Sequence, residues 1–263
     1  MKIKQITSTN NKQLKWIKKL QSQSKLRYQE GVYVVEGMKQ VLELSPETID
    51  TLILEEHVDR KAFEDYQGQI LILPQDIFRT ISLDKTPQGY MAVVKMQKNI
   101  LSTATLNKNG LYLVLETIQD PGNMGTMIRV CDAVKADGII YNKASVDIYH
   151  PKVVKSTVGS LERVACYQVE DLIEAIHVLK SADIQVFGAY LDDSAYHFSK
   201  EYQRGTAFVI GNEGSGISDE VIHCVDARVK IPIIGKAESL NAAVAASVLL
   251  YEALCQRIKK SAL

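Results

Sequence analysis

LYLVLETIQDPGNMGTMIRVCDA, from Leu111 to Ala133, opens on an unbroken apolar run and closes on a helical one. Leu111 to Leu115 shows no polar alternation, as expected of a strand buried on both faces of a parallel sheet. Met127, Cys131 and Val134 then recur at i, i+4 and i+7, which predicts a helix over about Met124 to Lys135. Between the two, Gln119 to Thr126 reads as a tight, glycine-containing loop at the strand's carboxyl end. The same alternation repeats outward from this unit. It runs through GIIY (138–141), a helix near Pro151 to Thr157, VACYQV (164–169), a helix at Asp171 to Leu179, IQVFGAY (184–190), TAFVIG (206–211), RVKIPI (228–233) and a closing helix over Asn241 to Arg257. The pattern predicts an α/β fold, a parallel sheet with helices on both faces.

Ahead of it stands a smaller α/β pattern. VYVV (32–35), TLIL (51–54), ILIL (70–73) and YMAVV (90–94) are β-rich, with helical stretches near Met38 to Leu44 and Asp59 to Tyr66. Asn11 to Leu20 spaces Leu14, Ile17 and Leu20 on one helical face, with lysines between them. MQKNILSTATLNKN (96–109) is polar and weakly periodic. The expected organisation is a small domain over 1–96, a linker over 97–109 and a larger domain over 110–263.

The 263 residues are 46% hydrophobic and 24% charged, the composition of a globular protein, with no apolar run of the roughly 20 residues a membrane span needs. The start MKIKQITSTN lacks the apolar core of a secretory signal, so a soluble, cytoplasmic protein is expected. Cys131, Cys166, Cys224 and Cys255 are isolated, without zinc-type spacing; they read as reduced core residues, and no metal is expected. The net charge is zero, yet Met1 to Lys39 holds nine basic residues against two acidic ones. Such asymmetry points to a nucleic-acid or membrane surface. Lys12, Lys15, Lys18, Lys19 and Arg27 are the candidate phosphate contacts.

In open parallel sheets ligands bind beyond the carboxyl ends of strands, which singles out three loops. In the first, Arg129 lies about 200° around the helix from Met127, away from the apolar stripe, where it either meets solvent or contacts an anion. The second, Gly211 to Gly216 (GNEGSG), lacks the Lys-Ser or Lys-Thr of a P-loop and the GxGxxG of a dinucleotide site, and Glu213 would repel a triphosphate. A ligand with little negative charge, held by backbone groups, suits it better. The third, Ile231 to Asn241, leads into AAVAASVLLYEAL, with Ser239 or Asn241 available as helix cap. The alanines of that helix permit close packing inside the subunit or against a second one.

Together DPGNMGTMIRVCDA (120–133), VIGNEGSGIS (209–218) and IPIIGKAESLNAAVAASVLLYEA (231–253) resemble the three signature motifs of the SpoU (TrmH) RNA 2′-O-ribose methyltransferases of the SPOUT superfamily. The N-terminal STNNKQLKWIKKL and YVVEGMKQV are similar to the substrate-binding domain that many members carry. The resemblance implies a C-terminal trefoil knot, a homodimer and the cofactor S-adenosylmethionine. It implies cofactor contacts at Gly211, Ile231 and Leu240, chiefly through backbone groups, and active-site positions at Asn123, Arg129, Glu213, Ser239 and Asn241. Arg129 is expected to anchor phosphate and stabilise charge developing on the ribose oxygen, since a guanidinium is too weak an acid to serve readily as a base. Asn123 and Asn241 are expected to orient loop and ribose, and Glu213 to organise the second motif. The expected substrate is ribosomal RNA. The alternatives are a tRNA ribose methyltransferase and a non-catalytic RNA-binding or ribosome assembly protein with this fold.

Overall fold

The computed structural model describes residues 2–261, and the chain forms two compact units. The smaller comprises the chain up to Gln97 together with Asp147–Glu162; the larger comprises Lys98–Val146 and the chain from Arg163 onward.

The smaller unit begins with β1 (Lys2–Gln5), α1 (Lys12–Ser22), α2 (Ser24–Glu30), β2 (Val32–Glu36) and α3 (Met38–Leu42). It continues with β3 (Ile49–Glu55), β4 (Gln69–Leu73), α4 (Gln75–Ile81) and β5 (Tyr90–Lys95). The strands form one mixed sheet in the order β1-β4-β3-β5-β2. Asn11 caps α1 by accepting the amide of Gln13, and the helix buries Leu14, Ile17 and Leu20 against a core that includes Val34, Ile53, Phe78 and Met91. Each such buried side chain contributes about 1.5–3 kcal/mol. Lys12, Lys15, Lys18 and Lys19 occupy the exposed face of α1. The helix expected over 59–66 is only a short 3-10 turn at Lys61–Phe63.

The larger unit contains β6 (Leu111–Leu115), α5 (Pro121–Ala133) and β7 (Gly138–Asn142). The chain then forms α6 (Pro151–Thr157), which belongs to the smaller unit, and returns as β8 (Cys166–Val169), α7 (Leu172–Ser181) and β9 (Gln185–Ala189). The two-residue β10 (Ala195–Tyr196), β11 (Thr206–Ile210), α8 (Asp219–Ile222), β12 (Ala227–Lys230) and α9 (Ala242–Ser261) follow. All seven strands are parallel, in the order β10-β12-β9-β11-β6-β7-β8. From β6 the chain builds outward to β8, crosses to β9, and inserts β11 beside β6. The strand order thus reverses between β6 and β11, the place where open parallel sheets leave a crevice at their carboxyl ends. After β12, next to the edge, the chain returns as α9 to pack on α5 and β11. The threading that the SpoU resemblance implies runs along this return.

Four sequence expectations need correction here. The stretch read as a linker is docked on the larger unit: Asn107 donates its amide nitrogen to the Tyr112 hydroxyl (2.7 Å) and its side-chain NH₂ to Asp137 (2.9 Å). Residues 147–162, expected in the larger domain, belong to the smaller unit, where Asp147 receives the Arg27 guanidinium at 2.5 Å and Glu162 accepts the Tyr33 hydroxyl at 2.6 Å. Arg27 is only 2% exposed and also donates to the Leu20 carbonyl (2.6 Å), so it is a structural ion and not a phosphate contact. Removing one partner of such a buried pair leaves the other charge uncompensated, at a cost of about 3–5 kcal/mol. Of the cysteines, Cys131 and Cys166 are buried, while Cys224 is half-buried and Cys255 exposed. Burial raises the thiols of Cys131 and Cys166, the latter to about 12, so both stay protonated and unreactive at neutral pH.

Candidate active site

The glycine-containing segment after β6 is less of a loop than its composition suggests. Asp120 caps α5 by accepting the amide of Asn123 (2.8 Å), and Pro121 takes the first helical position, where its missing N–H costs nothing. Gly122 and Gly125 are therefore already helical, and α5 starts three residues earlier than its apolar stripe indicates.

The loop after β11 closes on itself through paired backbone hydrogen bonds between Asn212 and Gly216, both 2.9 Å. Asn212 organises it from within. Its side-chain oxygen accepts the amides of Gly214 (2.9 Å) and Ser215 (3.1 Å), and its NH₂ donates to the Thr117 carbonyl at 2.8 Å. Gly216 sits at φ 72°, a conformation that favours glycine. A Cβ on Gly211 would come within 2.1 Å of the Gly216 backbone, so no other residue fits there without opening the turn.

Glu213, at the tip of this loop, crosses to the segment before α5. Its carboxylate accepts the amides of Gln119 (3.2 Å) and Asp120 (3.1 Å) and the side-chain NH₂ of Asn123 (3.0 Å). The expectation that Glu213 organises its own motif is thus corrected: Asn212 does that, and Glu213 ties the second motif to the first. The chain of contacts continues. Asn123 accepts from the Asn241 side-chain NH₂ at 2.9 Å, and Asn241 in turn caps α9 by accepting the amides of Ala243 (3.0 Å) and Val244 (3.2 Å). Asn241, and not Ser239, is the helix cap. Partial burial opposes the charge on Glu213, but the Asn123 side chain and the backbone amides outweigh it and hold the carboxyl below the ordinary 4.5.

Beside this network lies a cavity of about 500 Å³, walled by the carboxyl ends of β9, β11 and β12 and by the start of α9. Gly211, Ile231 and Leu240 line it together with Glu213, Ser239 and Asn241. Its size is that of a small-molecule pocket. Gly211, Ile231, Leu240 and Ala245 present backbone and apolar groups, a lining suited to an adenosine-sized ligand with little negative charge. The polyanionic alternative lacks the cationic cradle it would need. Arg129 stands apart. It is exposed on α5, six residues beyond Asn123, and takes part in neither the network nor the cavity wall. Among the described residues no group of three or more His, Cys, Asp or Glu side chains is arranged to hold a metal ion, and no helix is long and apolar enough to cross a membrane.

Sequence reasoning missed Asn212, Thr117 and Asn142. Thr117 adopts φ 55° at the end of β6, and Asn142 holds that bend by accepting its amide (2.9 Å) and donating to its hydroxyl (2.9 Å). The signal for Asn212 was available: an Asn that bonds the amides two and three residues on is a common way to close a glycine-rich turn. Nothing local marks Asn142, whose partner lies 25 residues away.

Residues 110–251 match the SpoU rRNA Methylase family and residues 11–92 match the MRM3-like substrate binding domain. The chain is 30% identical to the 23S rRNA (guanosine(2553)-2′-O)-methyltransferase RlmP of Bacillus subtilis (strain 168), over 95% of this chain and 98% of that protein. It is 31% identical to a 23S rRNA (uridine(2479)-2′-O)-methyltransferase of Streptomyces viridochromogenes, over 72% of this chain and 68% of that one. Among solved structures, the SpoU methyltransferase AviRb of Streptomyces viridochromogenes in complex with AdoMet matches with a TM-score of 0.85 and 27% identity, covering 95% of this chain and 100% of that one.

The lowered pKa of Glu213 fixes a sign. A depressed carboxyl contributes stability that is complete above its unfolded value and lost as pH falls through the folded one. Thermal melts should show the wild type losing stability as pH drops below about 4.5, and Glu213→Gln losing less over the same interval while being less stable at pH 7, by about 1–2 kcal/mol. Parallel pH profiles for the two proteins would contradict this account.

Proposed function

From a chain that belongs to the SpoU rRNA methylase family, we propose an enzyme that transfers a methyl group from S-adenosylmethionine to a ribose 2′-hydroxyl of ribosomal RNA. The observation that carries this reading is the juxtaposition of a backbone-lined cavity with a hydrogen-bonded polar network drawn from all three motif loops. The donor supplies a methyl group already bonded to a good leaving group, a thioether. What remains for the protein is to hold the donor, align the ribose oxygen with the methyl carbon, and stabilise charge as the hydroxyl proton leaves.

Gly211, Ile231 and Leu240 are the residues that would hold the donor, since they line the cavity with backbone and apolar surface. Asn123 and Asn241 fix the relation between the first and third loops and orient the ribose. Glu213 is a poor base at neutral pH: three donors occupy its carboxylate and its pKa is lowered. Its part is to keep the first and second loops in register. Ser239, exposed at the cavity wall, offers a hydroxyl to the substrate. Arg129 binds an RNA phosphate and stabilises charge on the attacking oxygen; its exposure leaves the guanidinium available to a ligand from outside.

The exposed lysines of α1 serve as a docking face for RNA, with affinity that falls steeply as salt rises. Ribosomal RNA as substrate is consistent with a cytoplasmic enzyme. The active form is a homodimer. Val244, Tyr251, Cys255 and Ile258 are all exposed on α9 and recur at heptad spacing, an apolar stripe suited to a partner helix. Sedimentation should read about twice the 29.3 kDa chain mass.

The functional test is methyl transfer from labelled S-adenosylmethionine to ribosomal RNA from cells lacking this protein, with calorimetric titration of the donor alongside. Arg129→Ala should lower turnover by about a hundredfold or more while the donor dissociation constant changes by less than about threefold. Undiminished turnover in that variant would remove Arg129 from the mechanism. Absence of donor binding by the wild type would remove the whole reading.

A further inference from the structure

Outside the cavity, the larger unit carries a cluster of aromatic rings that the core does not use. Tyr196 and Phe198 stack with ring centroids 5.3 Å apart and planes inclined by 12°, yet they are 48% and 56% exposed. Lys230 places its ammonium 5.7 Å from the Tyr196 centroid, and Arg228 places its guanidinium 5.3 Å from that of Tyr190. Lys230 and Tyr190 both line the cavity, so the column Lys230–Tyr196–Phe198 begins at the cavity wall and ends on Phe198, which is more than half exposed and meets His197 edge-to-face at 5.3 Å.

The column is held in place. Tyr196 pairs with Lys230 in the β10–β12 ladder, and the intervening His197 is buried, with Nδ1 3.3 Å from the Lys230 carbonyl oxygen. The buried Tyr202 hydroxyl donates to the His197 carbonyl at 2.7 Å. Two solvent-facing rings on so firmly anchored a segment contribute little to stability, since their exposed faces gain nothing from burial. Their geometry suits a flat π-system added to the stack.

We propose that Phe198, backed by Tyr196 and Lys230, is a stacking platform for an unpaired base of the RNA substrate, flanking the nucleotide whose ribose enters the site. The assignment rests on the methyltransferase reading for its substrate class. Unpaired bases are what proteins capture on exposed aromatic faces, and a duplex keeps its bases inside. The enzyme therefore selects single-stranded or splayed RNA beside its cavity.

The test uses the full chain with S-adenosylmethionine present, and a fluorescein-labelled 12-nucleotide single-stranded RNA and its blunt duplex as probes, read by anisotropy. Phe198→Leu, which keeps apolar bulk but loses the π-face, should weaken single-strand binding by about 5- to 100-fold and leave duplex binding and the donor dissociation constant unchanged. Phe198→Trp should retain wild-type affinity. Unchanged single-strand affinity in Phe198→Leu, or equal losses for strand and duplex, overturns the platform. So does a change in sedimenting mass of that variant, which would assign the rings to contact between copies of the chain. A wild type that discriminates strand from duplex through Phe198 yet does not bind the donor would leave the platform standing and sink the methyltransferase reading.

Discussion

One run of hydrogen bonds, from Glu213 through Asn123 to Asn241, holds the site together. Each residue comes from a different motif, and two of them also satisfy backbone amides: Glu213 those of Gln119 and Asp120, Asn241 those of Ala243 and Val244. The polar side chains that would be expected to face substrate therefore also cap α9, through Asn241, and hold the backbone just before α5, through Glu213. The geometry of the site and the local fold share these bonds, so a change at any member moves its neighbours as well.

The sheet makes this possible. Because strand order reverses between β6 and β11, the loops that follow these two strands face one another across the crevice at their carboxyl ends. Glu213 spans it. The return of α9 to the middle of the sheet delivers Asn241 to the same place, from a segment more than a hundred residues after Asn123. A backbone-lined pocket forms where the turn leaves no room for a side chain at Gly211, and this is the region that a donor with little net negative charge would fill.

Much of this architecture is legible in the sequence. The central strands β6, β7, β9 and β11 are short, mostly buried apolar runs and so announce themselves, whereas the two-residue β10 does not, and α6 falls at Pro151–Thr157 as its pattern indicates. β1 is not legible, since Lys2–Gln5 is an edge strand with every residue exposed and no apolar alternation to read. The start of α5 is obscured because Pro121 and Gly122 signal a loop by composition, while the Asp120–Pro121 pair, a cap followed by a first-turn proline, signals a helix. Arg27 has the charge of a phosphate contact and the burial of a core residue, and only its distant partner Asp147 decides between them. The membership of 147–162 in the smaller unit likewise shows only in distant contacts, this pair and Tyr33–Glu162 among them. Asn123, Glu213, Ser239 and Asn241 were visible as motif positions, while Thr117 and Asn142 lie outside the motifs; which Asn caps, which one braces a turn, and which segment Glu213 serves are facts of tertiary contact.

If the linked loops are the functional unit, Asn123 and Asn241 must act through each other. A double-mutant cycle of Asn123→Ala and Asn241→Ala, read by calorimetric affinity for S-adenosylmethionine, measures that coupling directly. The account predicts a double variant weaker than wild type by clearly less than the sum of the two single losses, with a coupling of at least about 0.5 kcal/mol. Strict additivity, or single variants that bind the donor as wild type does, would contradict it.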